Sequence, residues 1–332
     1  MKRILVTGAC GSIGQALVSR LLDNENIVCA FDNSEDNLFS LNQRLKTEKR
    51  DHNLRIFIGD IRDEERLIHA LNGVDEVYHC AALKHVELGE YNPFEALNTN
   101  VLGTNNVINA SIKNHVKKVL LTSSDKAVNP SSTMGATKLL SEKLIISANN
   151  FSGSSESRFG CLRFGNVWNT NGSVARIFQK QALSGQDIPL TSKEMTRFFL
   201  TLNNAVDLCI NSCDSLIGGE TFISDMGAAS IGEIANEFIK YNKKVKVVET
   251  GLKPGEKLYE ELFTDIESER THRYKDMYVI LPDSINHISD KYHELMDKYK
   301  SSQPIGQSLR SDSEFAESTA ISDLVDPLMN EC

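Results

Sequence analysis

The stretch Ile4-Leu5-Val6-Thr7-Gly8-Ala9-Cys10-Gly11-Ser12-Ile13-Gly14, with an apolar periodicity over 16–22 behind it, reads as a strand, a glycine turn and a helix. Such a turn needs glycines because positive φ, close approach of a phosphate and close packing of helix on strand each exclude a Cβ. The N-terminus of the helix then attracts a pyrophosphate. The spacing G-x-x-G-x-x-G decides little alone, because tight strand-to-helix turns also occur without a ligand. Its surroundings decide more. Ile27-Val28-Cys29-Ala30-Phe31 reads as a second strand ending at Asp32, about 20 residues beyond the turn, where a carboxylate accepts hydrogen bonds from adenosine ribose hydroxyls. That carboxylate repels a 2′-phosphate, so the pattern points to NAD rather than NADP.

Further along, Arg55-Ile56-Phe57-Ile58-Gly59 reads as a third strand running into Asp60-Ile61-Arg62-Asp63, and Glu76-Val77-Tyr78-His79-Cys80 as a fourth running into Ala81-Ala82. Ligands of a doubly wound sheet lie at the carboxyl ends of its strands. Asp60 and Ile61 are therefore expected at the adenine, and the two alanines leave room for the dinucleotide backbone. A fifth strand, 117–122, ends at Ser123-Ser124, and the intervening segments, such as 98–111, carry helical patterns. Strand and helix alternate as an α/β fold with a parallel, doubly wound sheet requires.

Composition narrows the function classes. The 332 residues suit two domains or one large one at roughly 150 residues per domain. With 40% hydrophobic and 24% charged residues the chain can build a core, which excludes disorder as its dominant state. The net charge of -9, with no basic patch beyond pairs such as Lys117-Lys118, argues against a nucleic-acid partner. No apolar run approaches the ~20 residues that cross a bilayer, and 1–3 passes directly into a strand, so no membrane partner and a cytoplasmic protein are expected. The seven cysteines show none of the paired spacings of zinc sites, so no metal is expected and a thiol-reducing compartment fits. Cys209 and Cys213, at i, i+4 on a helical pattern, read as core positions.

The T-G-x-x-G-x-x-G turn, the acid after the second strand and the Asp60-Ile61-Arg62-Asp63 element together resemble the extended short-chain dehydrogenase/reductase family, which implies a Rossmann-type fold. Within it, Ala82-Leu83-Lys84-His85-Val86, then Ser123-Ser124-Asp125-Lys126-Ala127-Val128-Asn129-Pro130 and Met134-Gly135-Ala136-Thr137-Lys138 are similar to UDP-N-acetylglucosamine 4,6-dehydratases. Downstream, Arg163-Phe164-Gly165-Asn166-Val167, Asn171-Gly172-Ser173-Val174, Met195-Thr196-Arg197-Phe198-Phe199 and Lys253-Pro254-Gly255-Glu256-Lys257-Leu258-Tyr259-Glu260-Glu261 continue the likeness in the family's order. The family at large has an active-site tyrosine four residues before the helical lysine, and here that position is Met134. A thioether exchanges no proton. Met at this position resembles the configuration-retaining branch, and the missing N-terminal membrane helices resemble its short soluble members. Lys253 stands where relatives often have Arg, which keeps the charge and loses the bidentate fork.

The resemblance implies bound NAD, a UDP-sugar substrate, and three steps: oxidation at sugar C4, loss of water across C5 and C6, and return of hydride to C6. Asp125 is assigned as the acid for the 6-hydroxyl and Lys126 as the base for the C5 proton, a protonated carboxyl beside a neutral amine. Ser124 can relay the 4-hydroxyl proton through Asp125 or water. Lys138 holds the nicotinamide ribose and tunes the site. The expected cofactor set is Gly8, Gly11, Ser12, Ile13, Gly14, Asp32, Asp60, Ile61, Ala81, Ala82, Asn100 and Lys138. Lys84, His85, Asn166, Arg197, Lys253 and Glu256 are the expected substrate contacts. For four of these there is a plainer alternative: a surface lysine at 84, a structural histidine at 85, a turn-stabilising amide at 166 and a structural ion pair at Arg197. His79, inside an apolar strand, reads as packed.

The NAD-binding domain is expected over 1–166, completed by about 203–242. A smaller interleaved C-terminal substrate lobe takes 167–202 and 243–300. From 301 to 332 the composition turns polar, which reads as a docked or mobile tail. Family habit implies a homodimer or larger assembly. A UDP-sugar 4-epimerase and a non-catalytic NAD-binding sensor are the competing readings, the first weakened by Met134 and the second by the retained 124–126 triplet.

Overall fold

A computed structural model describes residues 1–153, 155–170, 172–252, 254–283, 290–299, 302–313 and 321–330. In chain order β1 (Arg3–Thr7), α1 (Ser12–Asp23), β2 (Ile27–Asp32), α2 (Glu35–Thr47), β3 (Leu54–Ile58), α3 (Glu64–Ala70) and β4 (Glu76–His79) alternate. The short helices α4 (Val86–Tyr91) and α5 (Pro93–Ala96) then enter a π-helical turn, Leu97–Leu102, before α6 (Gly103–Lys113), β5 (Lys118–Ser124), α7 (Thr133–Phe151) and β6 (Arg158–Phe164). The sequence places one helix over 98–111. The π turn has a local cause: the Asn100 carbonyl accepts from the hydroxyls of Thr104 at 2.6 Å and Ser141 at 2.7 Å, which widens the helix there.

The remaining elements are β7 (Asn166–Val167), α8 (Val174–Ser184), β8 (Ile188–Leu190), β9 (Thr196–Leu200), α9 (Leu202–Ser215), β10 (Thr221–Ser224), β11 (Ala228–Ser230), α10 (Ile231–Ile239) and β12 (Val247–Glu249). After them come β13 (Glu261–Phe263), α11 (Asp265–Ser268), β14 (Thr271–Tyr274), β15 (Met277–Ile280), α12 (Asp290–Tyr299), β16 (Leu309–Arg310) and α13 (Ile321–Asn330). Nine strands form one sheet in the order β14-β15-β10-β6-β5-β4-β1-β2-β3. From β3 to β10 all neighbours are parallel. The chain therefore reverses its direction of winding between β1 and β4, and the crevice beyond their carboxyl ends is where such sheets take ligands.

Both faces of the sheet are covered. On one, Ile4 and Val6 pack with Leu17 and Leu21 of α1 and with Val206, Cys209 and Cys213 of α9. On the other, Leu5 and Val77 pack with Val107 of α6 and Ile145 and Ala148 of α7. The smaller lobe has its own core, in which Trp168, Phe178, Phe199 and Phe238 meet Val325, Leu328 and Met329 of α13. The described parts of the polar tail are thus docked: α13 fills the lobe, the Trp168 indole donates to the Leu324 carbonyl at 3.0 Å, and β16 pairs with β13.

One boundary differs from the sequence reading. The β14–β15 hairpin falls inside 243–300, expected in the lobe, yet it extends the large sheet antiparallel to β10. Met277, Val279 and Ile280 bury their side chains in the core beneath that sheet edge, and this burial decides the side to which the hairpin belongs.

Candidate active site

At the switch point, Gly8 has φ +64°, and a Cβ there would lie 2.7 Å from the Ala81 amide nitrogen. A Cβ on Gly14 would lie 2.1 Å from the Gly8 carbonyl oxygen. These two glycines hold the loop flat against the start of α1, and Gly11, whose amide donates to Gly8 O at 3.0 Å, is its N-cap. Ser12 and Ile13 open the helix, and its first turn carries no acidic residue to cancel the positive end of its dipole. Asp32 closes β2 with one carboxylate oxygen accepting from the Cys10 amide at 2.9 Å and the other from the Ser34 amide at 3.0 Å. The loop and the acid are thereby locked into one rigid cradle.

On its far side, the Arg62 guanidinium grips the Asp60 carboxylate and holds its pKa below the ordinary range. The Ile61 side chain is buried, filling the space beside Gly103 of α6. Ala81 and Ala82 are half-buried at the end of β4. Asn100, expected at the cofactor, is engaged within the protein. Its carboxamide accepts from the Leu83 amide at 2.8 Å and donates to the Leu83 carbonyl and to Thr137 Oγ1, clamping the loop after β4 to α7. His79 is packed, between the hydroxyls of Thr7 and Thr104, and burial pushes its pKa down to about 3.

β5 ends in a single 3-10 turn, Asp125–Ala127, capped by the Ser124 hydroxyl. Ser124 Oγ donates to Asp125 Oδ1 at 2.8 Å, and Lys126 Nζ donates to the same oxygen at 3.0 Å. Lys126 also reaches Asn166 Oδ1 at 3.3 Å and lies 3.7 Å from Glu260 Oε1. Asp125 is fully buried with Oδ2 unpartnered, and Glu260 is 3% exposed with Oε2 unpartnered. Burial alone would depress the Lys126 pKa, but the attraction of Asp125 and Glu260 outweighs it and raises the value. Lys126 is therefore an ammonium here, which corrects the expectation of a neutral amine. Asp125 is the larger cause and Glu260 adds to it, a residue to which the sequence reading gave no role. Its pKa is raised, chiefly by burial.

Lys138 Nζ donates to the Thr122 carbonyl at 2.6 Å, and burial lowers its pKa against the pull of Glu142. Met134, one turn earlier on α7, is 3% exposed. The structure thus brings Ser124, Asp125, Lys126, Asn166 and Glu260 into one connected group, with Lys138 holding the end of β5.

The substrate-side candidates gather less tightly. Lys84 and His85 are exposed just before α4, and the His85 ring stands against Gly172 of the loop before α8. Arg197 donates to the carbonyls of Thr196, Lys257 and Leu258 and lies 3.7 Å from Glu260. Glu256 is half-buried in a segment pinned over the 128–132 turn by Lys257 Nζ to Val128 O and Ser131 Oγ to Gly255 O, each at 2.9 Å. Lys253 lies outside the described residues. Glu260 could have been found only from the pair Glu260-Glu261, whose second member faces outward to Asn129.

Comparison with known proteins gives a consistent picture. A family model described as polysaccharide biosynthesis protein matches residues 4–282. An uncharacterized membrane protein of Methanocaldococcus jannaschii is 44% identical over 85% of this chain and 86% of its own. A UDP-N-acetylglucosamine 4,6-dehydratase (inverting) of Campylobacter jejuni is 36% identical over 95% and 96%. A UDP-glucose 4-epimerase of Rickettsia rickettsii is also 36% identical, over 84% and 82%. The crystal structure of Pen from Bacillus thuringiensis superposes with a TM-score of 0.89 at 38% identity, covering 99% of this chain and 97% of that one. Among the described residues no helix is long and apolar enough to cross a membrane.

Proposed function

Because the chain belongs to the polysaccharide biosynthesis protein family, within the extended short-chain dehydrogenases/reductases, we propose that it is an NAD-dependent, configuration-retaining UDP-N-acetylglucosamine 4,6-dehydratase. The observation that carries the reading is the hydrogen-bonded chain Ser124–Asp125–Lys126, centred on the buried Asp125 at the carboxyl end of β5, in a site whose tyrosine position holds Met134. NAD fits the residues present: at Gly8 and Gly14 a Cβ would strike the loop's own backbone, so the turn closes tightly on the start of α1, and Asp32 presents a carboxylate at the end of β2. When bound, NAD supplies the acceptor for the C4 hydride and its return to C6.

The chain's own groups can close the proton traffic. Asp125, 3.0 Å from the Lys126 ammonium, is placed to receive the 4-hydroxyl proton through the Ser124 hydroxyl, 2.8 Å away. Once protonated, it is the acid that the departing 6-hydroxyl requires. Oxidation at C4 makes the C5 proton acidic, and Lys126, as the free amine, takes it. Without a tyrosine, Lys126 is also the group that returns the C5 proton, from the face it came from. Retention at C5 follows from that single-faced chemistry. The product is a UDP-4-keto-6-deoxy-N-acetylhexosamine.

The epimerase relatives supply the second reading, a 4-epimerase that returns hydride to C4 and has no use for an acid–base pair at C5 and C6. One NMR experiment in deuterated water with UDP-N-acetylglucosamine separates the two. The proposed reaction yields a C6 methyl group, deuterium at C5 and unchanged C5 configuration. Epimerisation yields the galacto sugar without a methyl group, and an altered C5 configuration refutes retention. Lys126→Ala and Asp125→Asn each abolish methyl formation while leaving NAD bound, and near-normal turnover in either refutes that residue's role.

A further inference from the structure

Lys126 must shed a proton before it can act as a base, yet the structure holds it as an ammonium between two carboxylates. Solvent reaches only part of it: the Lys126 side chain is 24% exposed, while Asp125, Glu260 and Arg197 around it are buried. Glu260 is the other acceptor within reach. Its Oε1 is 3.7 Å from Lys126 Nζ, and its Oε2 is buried with no hydrogen-bond partner. Its backbone is fixed from behind, where the Glu260 amide donates to Ser311 Oγ at 3.0 Å and the Ser311 amide donates to the Glu260 carbonyl at 2.9 Å. Arg197, 3.7 Å away on β9, pins the same segment through the Lys257 and Leu258 carbonyls.

We propose that Glu260 is a positioning residue that stores the Lys126 proton: the Nζ–H bond breaks, a carboxyl O–H bond forms on Glu260, and the freed lone pair takes the C5 proton. The proposal rests on the dehydratase reading. The transfer conserves charge, turning an ammonium–carboxylate pair into an amine and a carboxylic acid, which leaves no uncompensated ion beside the buried Asp125 and Arg197. It is coupled to the step before. When Asp125 accepts the 4-hydroxyl proton, Lys126 loses its nearest counter-ion and releases its proton more readily. After C5 is reprotonated, Glu260 hands its proton back and the pair is restored. The charged groups facing Glu260 are Lys126, Asp125, Arg197 and Lys257, and burial raises its pKa against the three cations. Lys126 faces Asp125, Glu260, Arg197 and the Asn166 amide.

The test uses the full-length NAD-bound protein and its Glu260→Gln and Glu260→Asp variants. In the wild type, with the proton kept inside the pair, the rate of methyl formation is nearly flat from pH 6.5 to 8.5. In Glu260→Gln it falls about tenfold or more at pH 7 and climbs about tenfold per pH unit above, because Lys126 must then lose its proton to solvent. Glu260→Asp keeps the flat profile at a reduced rate. A uniform loss across pH in Glu260→Gln, or no loss, overturns the proposal. Titration of the Lys126 ammonium by 15N NMR, assigned with Lys126→Arg, is read alongside. Its pKa must drop by about one unit or more in Glu260→Gln. A pH-independent signal identical in wild type and variant also overturns the proposal. Absence of methyl formation in the wild type, with this coupling intact, marks failure of the dehydratase reading itself.

Discussion

Thr7 Oγ1 and His79 Nδ1 lie 2.7 Å apart, joining the last residue of β1 to the last residue of β4 across the point where the sheet reverses its winding. The same hydroxyl accepts from the Ala81 amide at 3.3 Å. One threonine therefore ties the end of β1 to the end of β4 and to the backbone beyond it, and burial keeps His79 neutral.

That neutrality makes stability acid-sensitive. The folded His79 pKa is about 3 against 6.5 for an unperturbed imidazole. The unfolded state therefore binds one more proton below 6.5, so the stability contributed is complete above that pH and is lost on acidification toward 3. Urea denaturation between pH 6.5 and 5 should show a loss of up to ~1.4 kcal/mol per pH unit, absent in His79→Gln whatever its baseline. Glu220 and Glu260, whose pKa values are raised by burial, act with the opposite sign, and the comparison with the variant isolates the histidine.

Gly14→Ala should fold yet lose its cofactor. The added methyl, 2.1 Å from the Gly8 carbonyl, forces the turn away from α1 and opens the anion cradle. Protein purified from this variant is expected to carry about a tenth or less of the wild-type NAD, measured by absorbance after denaturation. Full NAD content would remove the cradle from the argument.

Asp32→Asn tests the ribose contact. The carboxylate already accepts from two amides, and ribose hydroxyls would add charge-assisted bonds. Titration calorimetry on cofactor-stripped protein should show NAD affinity falling roughly 10- to 100-fold, with NADP gaining relative to NAD. An unchanged preference would place the adenosine ribose elsewhere.

The Arg163 guanidinium, 1% exposed, bonds Glu142 of α7 at 2.7 Å, Glu267 of α11 at 3.1 Å and the Leu262 carbonyl at 2.7 Å. This buried triad ties the helix of Lys138 to the segment that follows Glu260. Arg163→Met strands two buried carboxylates and should cost ~3–5 kcal/mol by chemical denaturation, whereas the triple change Glu142→Leu, Arg163→Met, Glu267→Leu should cost less. The opposite order would show that the ions act independently.

Much of this protein is legible in one dimension because the information is local. The glycine turn, the acid at the end of β2 and the alternation of strand and helix depend on φ angles, side-chain period and spacings of a few residues, so the nucleotide fold and Gly8, Gly14 and Asp32 can be read directly. The triplet Ser124-Asp125-Lys126 is equally local, being one turn at one strand end. Charge states are not. The charge on Lys126 answers to Asp125 beside it and also to Glu260, 134 positions away in the chain and brought to 3.7 Å by β9, the 254–260 segment and Ser311. Asn100 and Arg197 carry the same lesson, for the protein partners that engage a polar side chain in a motif are not legible in the motif itself. Motif spacing is written in the order of residues, but the field at a buried atom is a sum over everything the fold brings near it, and only the tertiary structure performs that sum.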